Sequence, residues 1–212
     1  LGYDTNEKIL ESLYSIKEVE VSNEIENKYS AQDIVIETDF GPEKILYAAQ
    51  RITFTDIENL MDNNIKNVKI VDLKNSGEKI GTEVVINTIQ KEGFEKDPEN
   101  TLKSEPTIEE SINKVYNVIR PGEPALIEAA SEEINNMFFS EKRYDLGKVG
   151  RFKLNKKYNY EEEVLTTALV KDDIVSTVVY LDKIYEGENK LDDIDHLSNR
   201  RIRPVGELVQ NK

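Results

Sequence analysis

The stretch Asp192-Asp193-Ile194-Asp195-His196-Leu197-Ser198-Asn199-Arg200-Arg201-Ile202-Arg203-Pro204 sets three aspartates directly against three arginines. Like charges packed this closely repel unless opposite charge lies over each group, so a purely solvated surface has little use for the arrangement. Three arginines within four residues suit phosphate oxygens, and a neighbouring carboxylate suits the donor edge of a base. The same carboxylates could hold a hard cation such as magnesium. The simpler reading is a cap or salt-bridge cluster serving the arginines, and no metal is expected. His196, the single histidine, would need a serine nucleophile to act as a general base, and no G-x-S-x-G turn presents one. The expectation is a structural histidine, hydrogen-bonded within the loop.

Upstream lie two further distinctive strings. Arg120-Pro121-Gly122-Glu123-Pro124 places an arginine on a rigid turn. There it can satisfy the last carbonyls of a helix or, already ordered, meet a phosphate at little entropic cost. Phe138-Phe139-Ser140-Glu141-Lys142-Arg143-Tyr144-Asp145-Leu146 runs on through Val149-Gly150-Arg151. From Glu141 to Lys157 there are seven basic side chains against two acidic ones. Within this strip Gly147-Lys148-Val149-Gly150 has the form of the loop with which KH modules clamp an RNA backbone, a weak four-residue pattern. On the residues alone, a solvated basic loop is the simpler reading of the strip.

Composition bounds what these strings can mean. The 212 residues are 38% hydrophobic and 33% charged, which suits one soluble domain, with room for an appended module. No apolar run approaches the roughly 18–20 residues of a membrane span, and no membrane partner is expected. The absence of cysteine excludes disulfides and thiolate metal sites and fits a cytosolic protein. The chain opens on Leu1 and is read as part of something longer. Its net charge of −14 argues by itself against nucleic acid, but the charge is uneven. Residues 1–110 hold 24 acids and 12 bases, whereas residues 111–212 hold 18 and 16. An acidic body with a concentrated basic strip can still present a phosphate-binding face.

The hydrophobic pattern implies an α+β fold. Asp4, with Glu7 three residues on, reads as the cap of a first helix whose inner face is Ile9, Leu10, Leu13 and Tyr14. Between Gln32 and Ile89, β-branched runs at 34–36, 68–71 and 84–86 read as strands, interrupted by one short helix from Thr55 to Met61. Residues 93–105 read as a linker or exposed loop. Thr107 and Glu110 form a capping box for a helix with Ile112, Val115, Tyr116 and Ile119 on one face, ended by Pro121. Pro124 suits the start of the next helix, and Asp172–Glu186 reads as another, with Ile174, Val178, Leu181 and Tyr185 inward and Gly187 as its stop.

The three strings, in this order, resemble segments of the bacterial RNA polymerase β subunit, the last of them its DDIDHLGNRRIR segment. The resemblance is strong over 107–212, recognisable at Leu1-Gly2-Tyr3-Asp4-Thr5 and loose between. It implies that residues 1–31 and 105–212 are the β lobe leading toward the fork, a helical core with short strands. Residues 32–104 would then be an inserted, small strand-rich module with its linker. It implies one wall of the downstream DNA cleft, which contacts the non-template strand, promoter DNA and the downstream duplex. The expected partners are that DNA and the β′, α and σ subunits, in the bacterial cytoplasm and at the nucleoid. No cofactor is expected on this piece, because the family holds its catalytic magnesium on β′; the piece would not polymerise alone. By position Arg120, Arg143, Asp195, Arg200 and Arg203 match DNA-contacting residues, with Asp195 and Arg200 matching part of a pocket for an unstacked guanine. Ser198 stands where the family has glycine, which raises the question of a special backbone angle there. An acidic adaptor module is the alternative reading, and a KH-like RNA-binding module a lesser one.

Overall fold

The computed structural model describes residues 3–38, 41–93, 107–123, 126–160, 163–200, 202 and 204–210. The expected linker beyond Gly93, Pro124 and Arg203 lie outside them.

The N-terminal part opens with α1 (Asn6–Leu13). Its cap is Thr5 rather than Asp4: the Thr5 hydroxyl accepts from the Lys8 amide at 3.3 Å, while Asp4 pairs with the Lys8 ammonium at 2.6 Å. A hydroxyl adjoining the first turn reaches that amide, and the aspartate one residue earlier finds the side chain instead. Strand β1 (Ile16–Glu20) follows, an element the pattern concealed because three of its five residues are charged. It pairs antiparallel with β4 (Asn67–Val71), Ile16 opposite Val71 and Glu20 opposite Asn67. Between them, β2 (Ile34–Thr38) and β3 (Gly41–Leu46) form an antiparallel pair with an irregularity at Ile34/Val35. Helix α2 (Phe54–Asp62) is held by a capping box of Thr53 and Asp56.

The run 84–86 is not a strand but the start of α3 (Val84–Gly93). A strand would bury Val84 with Ile86; instead Val84 is exposed and Ile86 is buried with Ile89, the three-residue spacing of a helix face. Two apolar clusters result. One gathers Leu10 of α1 and its C-cap Tyr14 with Val71, Ile80 and Ile86, and the other gathers Ile25, Leu46, Ile57, Leu60 and Val68. Each such fully buried side chain contributes about 1.5–3 kcal/mol. The β1–β4 ladder and the first cluster therefore join residues 3–31 to residues within 32–104. At Tyr14 burial pushes the phenol up to about 12, and its hydroxyl donates to Thr82 O at 2.9 Å.

The C-terminal part is helical. Helix α4 (Ile108–Ile119) starts at the Thr107–Glu110 capping box and ends before Pro121, as its sequence implies. It packs on α5 (Ile127–Phe139), whose N-cap is Leu126 and whose small residue Ala130 is fully buried. Helix α6 (Gly147–Tyr158) occupies most of the basic strip. Helix α7 (Lys171–Tyr185) ends where Gly187, at φ 82°, leaves the helical region. A short turn (Leu197–Asn199) and α8 (Val205–Gln210) complete the chain.

Helix α7 buries only part of the face expected of it, Val178 but not Leu181 or Tyr185. Leu181 and Tyr185 are exposed, whereas Val175, Val178 and Val179 pack on the α1 cluster and Asp173 and Asp182 are buried. The two acids are inside because each has a partner there. Asp182 accepts from the Gly81 amide at 3.0 Å and from the Thr82 hydroxyl, fastening α7 to the segment that leads into α3. Asp182→Asn keeps an acceptor but loses the charge that strengthens both bonds. It is expected to lower stability by about 1 kcal/mol. A shift of the urea midpoint at unchanged slope would register this, and an unmoved midpoint would mean the contact carries no stability.

Candidate nucleic-acid interface

Arg120 is the C-cap of α4, its amide donating to Tyr116 O at 2.7 Å, and Gly122 at φ 86° turns the chain back toward α5. That turn aims the guanidinium across the helix pair. Its Nη2 lies 3.2 Å from Glu133 Oε1 and its Nη1 3.5 Å from Glu123 Oε2. Arg143, in the turn after α5, brings its Nη1 to 3.5 Å from the same Glu133 oxygen. Two arginines 23 positions apart in the chain thus share one carboxylate. Glu133 is largely buried, but both arginine side chains stay about half exposed. A guanidinium has five N–H donors, so these contacts leave capacity for a further acceptor.

Asp195 and Arg200 form the second pair, with Nη2 to Oδ1 at 3.6 Å and side chains 61% and 80% exposed for Arg200 and Asp195. At that separation the two form an exposed ion pair and not a hydrogen bond, so the carboxylate is still free to accept hydrogen bonds. The loop around them is braced from within. The Asp195 amide donates to Asp193 Oδ1 at 3.0 Å and Asn199 Nδ2 to Asp193 O at 2.8 Å. His196 caps the turn at Leu197–Asn199, its Nδ1 accepting from the Ser198 amide at 3.2 Å. That is a structural role for the ring. Ser198 is absent from the positive-φ residues, so the backbone at this position makes no demand that only glycine could meet.

The basic strip is not a solvated loop. Gly147-Lys148-Val149-Gly150 is the first turn of α6, with the Gly147 amide donating to Asp145 Oδ1 at 2.8 Å, so it is no clamp between helices of the KH kind. Arg151 is buried. It grips Asp173 through two 2.9 Å bonds and donates to the carbonyls of Thr166 and Ala168. Burial tends to raise the Asp173 carboxyl. The Arg151 guanidinium, the Val170 amide and the Tyr160 hydroxyl outweigh that and hold it below the ordinary 3.8. Lys153 donates to Ser198 O and, at 3.2 Å, to Asn199 Oδ1, and Lys157 pairs with Asp192.

A family model described as RNA polymerase Rpb2, domain 2, matches residues 88–203. The chain belongs to this family. It is also 40% identical over 216 residues to a DNA-directed RNA polymerase subunit beta of Treponema denticola. The proteins of that name from Borreliella burgdorferi and Treponema pallidum are 39% and 38% identical to it. These alignments take in 99–100% of this chain, so the likeness also runs through residues 32–104. The chain spans 18% of the length of each of these relatives.

All five arginine and aspartate candidates fall within the matched residues. The structure brings Arg120 to Arg143 and Asp195 to Arg200, on different elements, and Arg203 is outside the described residues. Sequence reasoning missed Glu133, and it counted Lys153 and Lys157 in the basic strip without seeing that they meet the loop of Asp195. Nothing in the pattern marks Glu133 among the other acids of α5. The lysines had a signal in their spacing: four residues apart, they share a face once the strip is taken as a helix.

Proposed function

We propose that the chain is the lobe part of a bacterial RNA polymerase β subunit, a wall of the downstream DNA cleft that holds non-template and promoter DNA. In this reading it contributes to a nucleotidyltransferase without supplying catalytic groups, and works with the β′, α and σ subunits in the cytoplasm. The catalytic magnesium belongs to β′. The observation that carries the reading is the pairing of exposed arginines with single, partly committed carboxylates: Arg120 and Arg143 at Glu133, and Arg200 at Asp195. In a chain of net charge −14, such sites are places where a phosphate backbone or a base edge can approach. Among the described residues no helix is long and apolar enough to cross a membrane.

The test is made in the assembled polymerase. Charge reversal at Arg120 or Arg143 should shorten open-complex lifetimes on most promoters alike, because phosphate contacts carry no sequence information. It should also make the salt dependence shallower by about 0.9 in log–log slope per lost contact. An unchanged slope in both variants would leave the two arginines as structural partners of Glu133 and favour the acidic adaptor.

A further inference from the structure

Every residue from Leu191 to Arg200 is exposed, so no apolar core holds the loop that carries Asp195 and Arg200. Among the described residues, the side-chain hydrogen bonds that tie residues 192–200 to the rest of the chain come from two lysines of α6. Lys153 donates to Ser198 O and Asn199 Oδ1, bracing the turn just before Arg200. Lys157 pairs with Asp192 at the loop's other end, and its ammonium also lies 4.0 Å from the centroid of the Tyr180 ring. Helix α6 is itself fixed, because on another of its faces Arg151 grips Asp173 of α7.

We infer that Lys153 and Lys157 are positioning residues for the Asp195–Arg200 pair, not phosphate contacts of a basic strip. A positioned lysine acts differently from a DNA-binding one. Its ammonium is spent on the loop's own oxygens, so it releases no counterion when DNA binds. What it supplies is a fixed geometry for a carboxylate that must meet two donors of a base at once, where a small misplacement is felt strongly. Tyr180 and Asp192 limit the freedom of Lys157, and the ends of the loop are thereby set relative to the buried α6–α7 contact. The inference rests on the reading of Asp195 and Arg200 as a base-contacting pair.

The experiment uses the assembled polymerase carrying Lys153→Met and Lys157→Met together. Three measurements are made: open-complex lifetimes on promoter pairs differing in one non-template guanine, their salt slope, and amide exchange of residues 190–200 without DNA. Positioning predicts faster exchange in the loop, a guanine preference reduced roughly three- to tenfold, and an unchanged slope. Restoring Lys157 as arginine, which keeps the charge and the aromatic contact, should recover part of the preference. A slope shallower by about one per lysine with the preference intact would make them phosphate contacts and overturn the inference. Unchanged exchange in the loop would overturn it as well. If the wild type itself shows no guanine preference, the base-contact reading fails separately, and the exchange measurement still decides whether the lysines hold the loop.

Discussion

Arg151→Met should destabilise the chain by about 3–5 kcal/mol, the usual consequence of removing one partner of a buried ion pair. Methionine fills much of the volume, so the loss is not mainly a cavity. It comes from Asp173, which remains buried with its charge uncompensated, and from the Thr166 and Ala168 carbonyls that lose their donor. Asp173→Asn should also cost stability, because its amide has a single acceptor oxygen where Val170 and Tyr160 donate to two, and the double variant should recover part of the single loss. Acid sharpens the test. The folded carboxyl sits below 3.8, so its stabilisation is present above that pH and fades as pH falls through the folded value. In Arg151→Met the buried, unpaired carboxyl moves upward instead and prefers its proton. The stability gap between wild type and variant should therefore begin to narrow above pH 3.8, where the variant's carboxyl takes up its proton, and go on narrowing as pH falls through the folded wild-type value. Urea titrations at several pH values measure this, and a gap that is small at neutral pH would show that the pair contributes little.

Asp195→Ala in the assembled enzyme should erase a preference for guanine at one non-template position while leaving other sequences nearly untouched. A carboxylate only accepts hydrogen bonds, and guanine is the base whose Watson–Crick edge offers two adjacent donors, N1–H and the N2 amino group. Asp195 is 80% exposed and loosely paired, so both oxygens are accessible to such an edge. The hydrogen bond that its backbone N–H donates to Asp193 Oδ1 holds the backbone beneath it. Arg200 can orient the carboxylate or meet guanine O6. The preference should be about 1–3 kcal/mol, or roughly 5- to 150-fold. Promoter pairs differing only in that base, compared in wild type and variant, decide it. Equal weakening of every promoter would mean that Asp195 only holds its own loop.

Much of the fold was legible where local chemistry decides. The Thr107–Glu110 box, the stop at Pro121, the limits of α2 and the end of α7 at Gly187 each depend on residues within a turn of one another. Readings failed where the deciding partner was far away. Strand β1 exists because β4 stands 51 positions on to pair with it, and its own charged sequence carries little strand signal. Helix α7 turns Leu181 outward because Gly81 and Thr82, a hundred positions upstream, give Asp182 a reason to be inside. Hydrophobic spacing cannot anticipate a buried acid whose donors are a backbone amide and a hydroxyl far away in the chain.

By itself the sequence determined the class of fold, the family through three ordered strings, and the residue types able to meet phosphate or a base edge. Only the tertiary structure decided which charges are free. Of the seven bases in the strip from Glu141 to Lys157, Arg151 is buried on Asp173, while Lys153 and Lys157 are committed to the loop that carries Asp195. Arg120 and Arg143, by contrast, meet at Glu133 with their side chains still open to solvent. The reason is physical. The value of a charge depends on its desolvation and on what stands within a few ångströms, and both are properties of packing rather than of order along the chain.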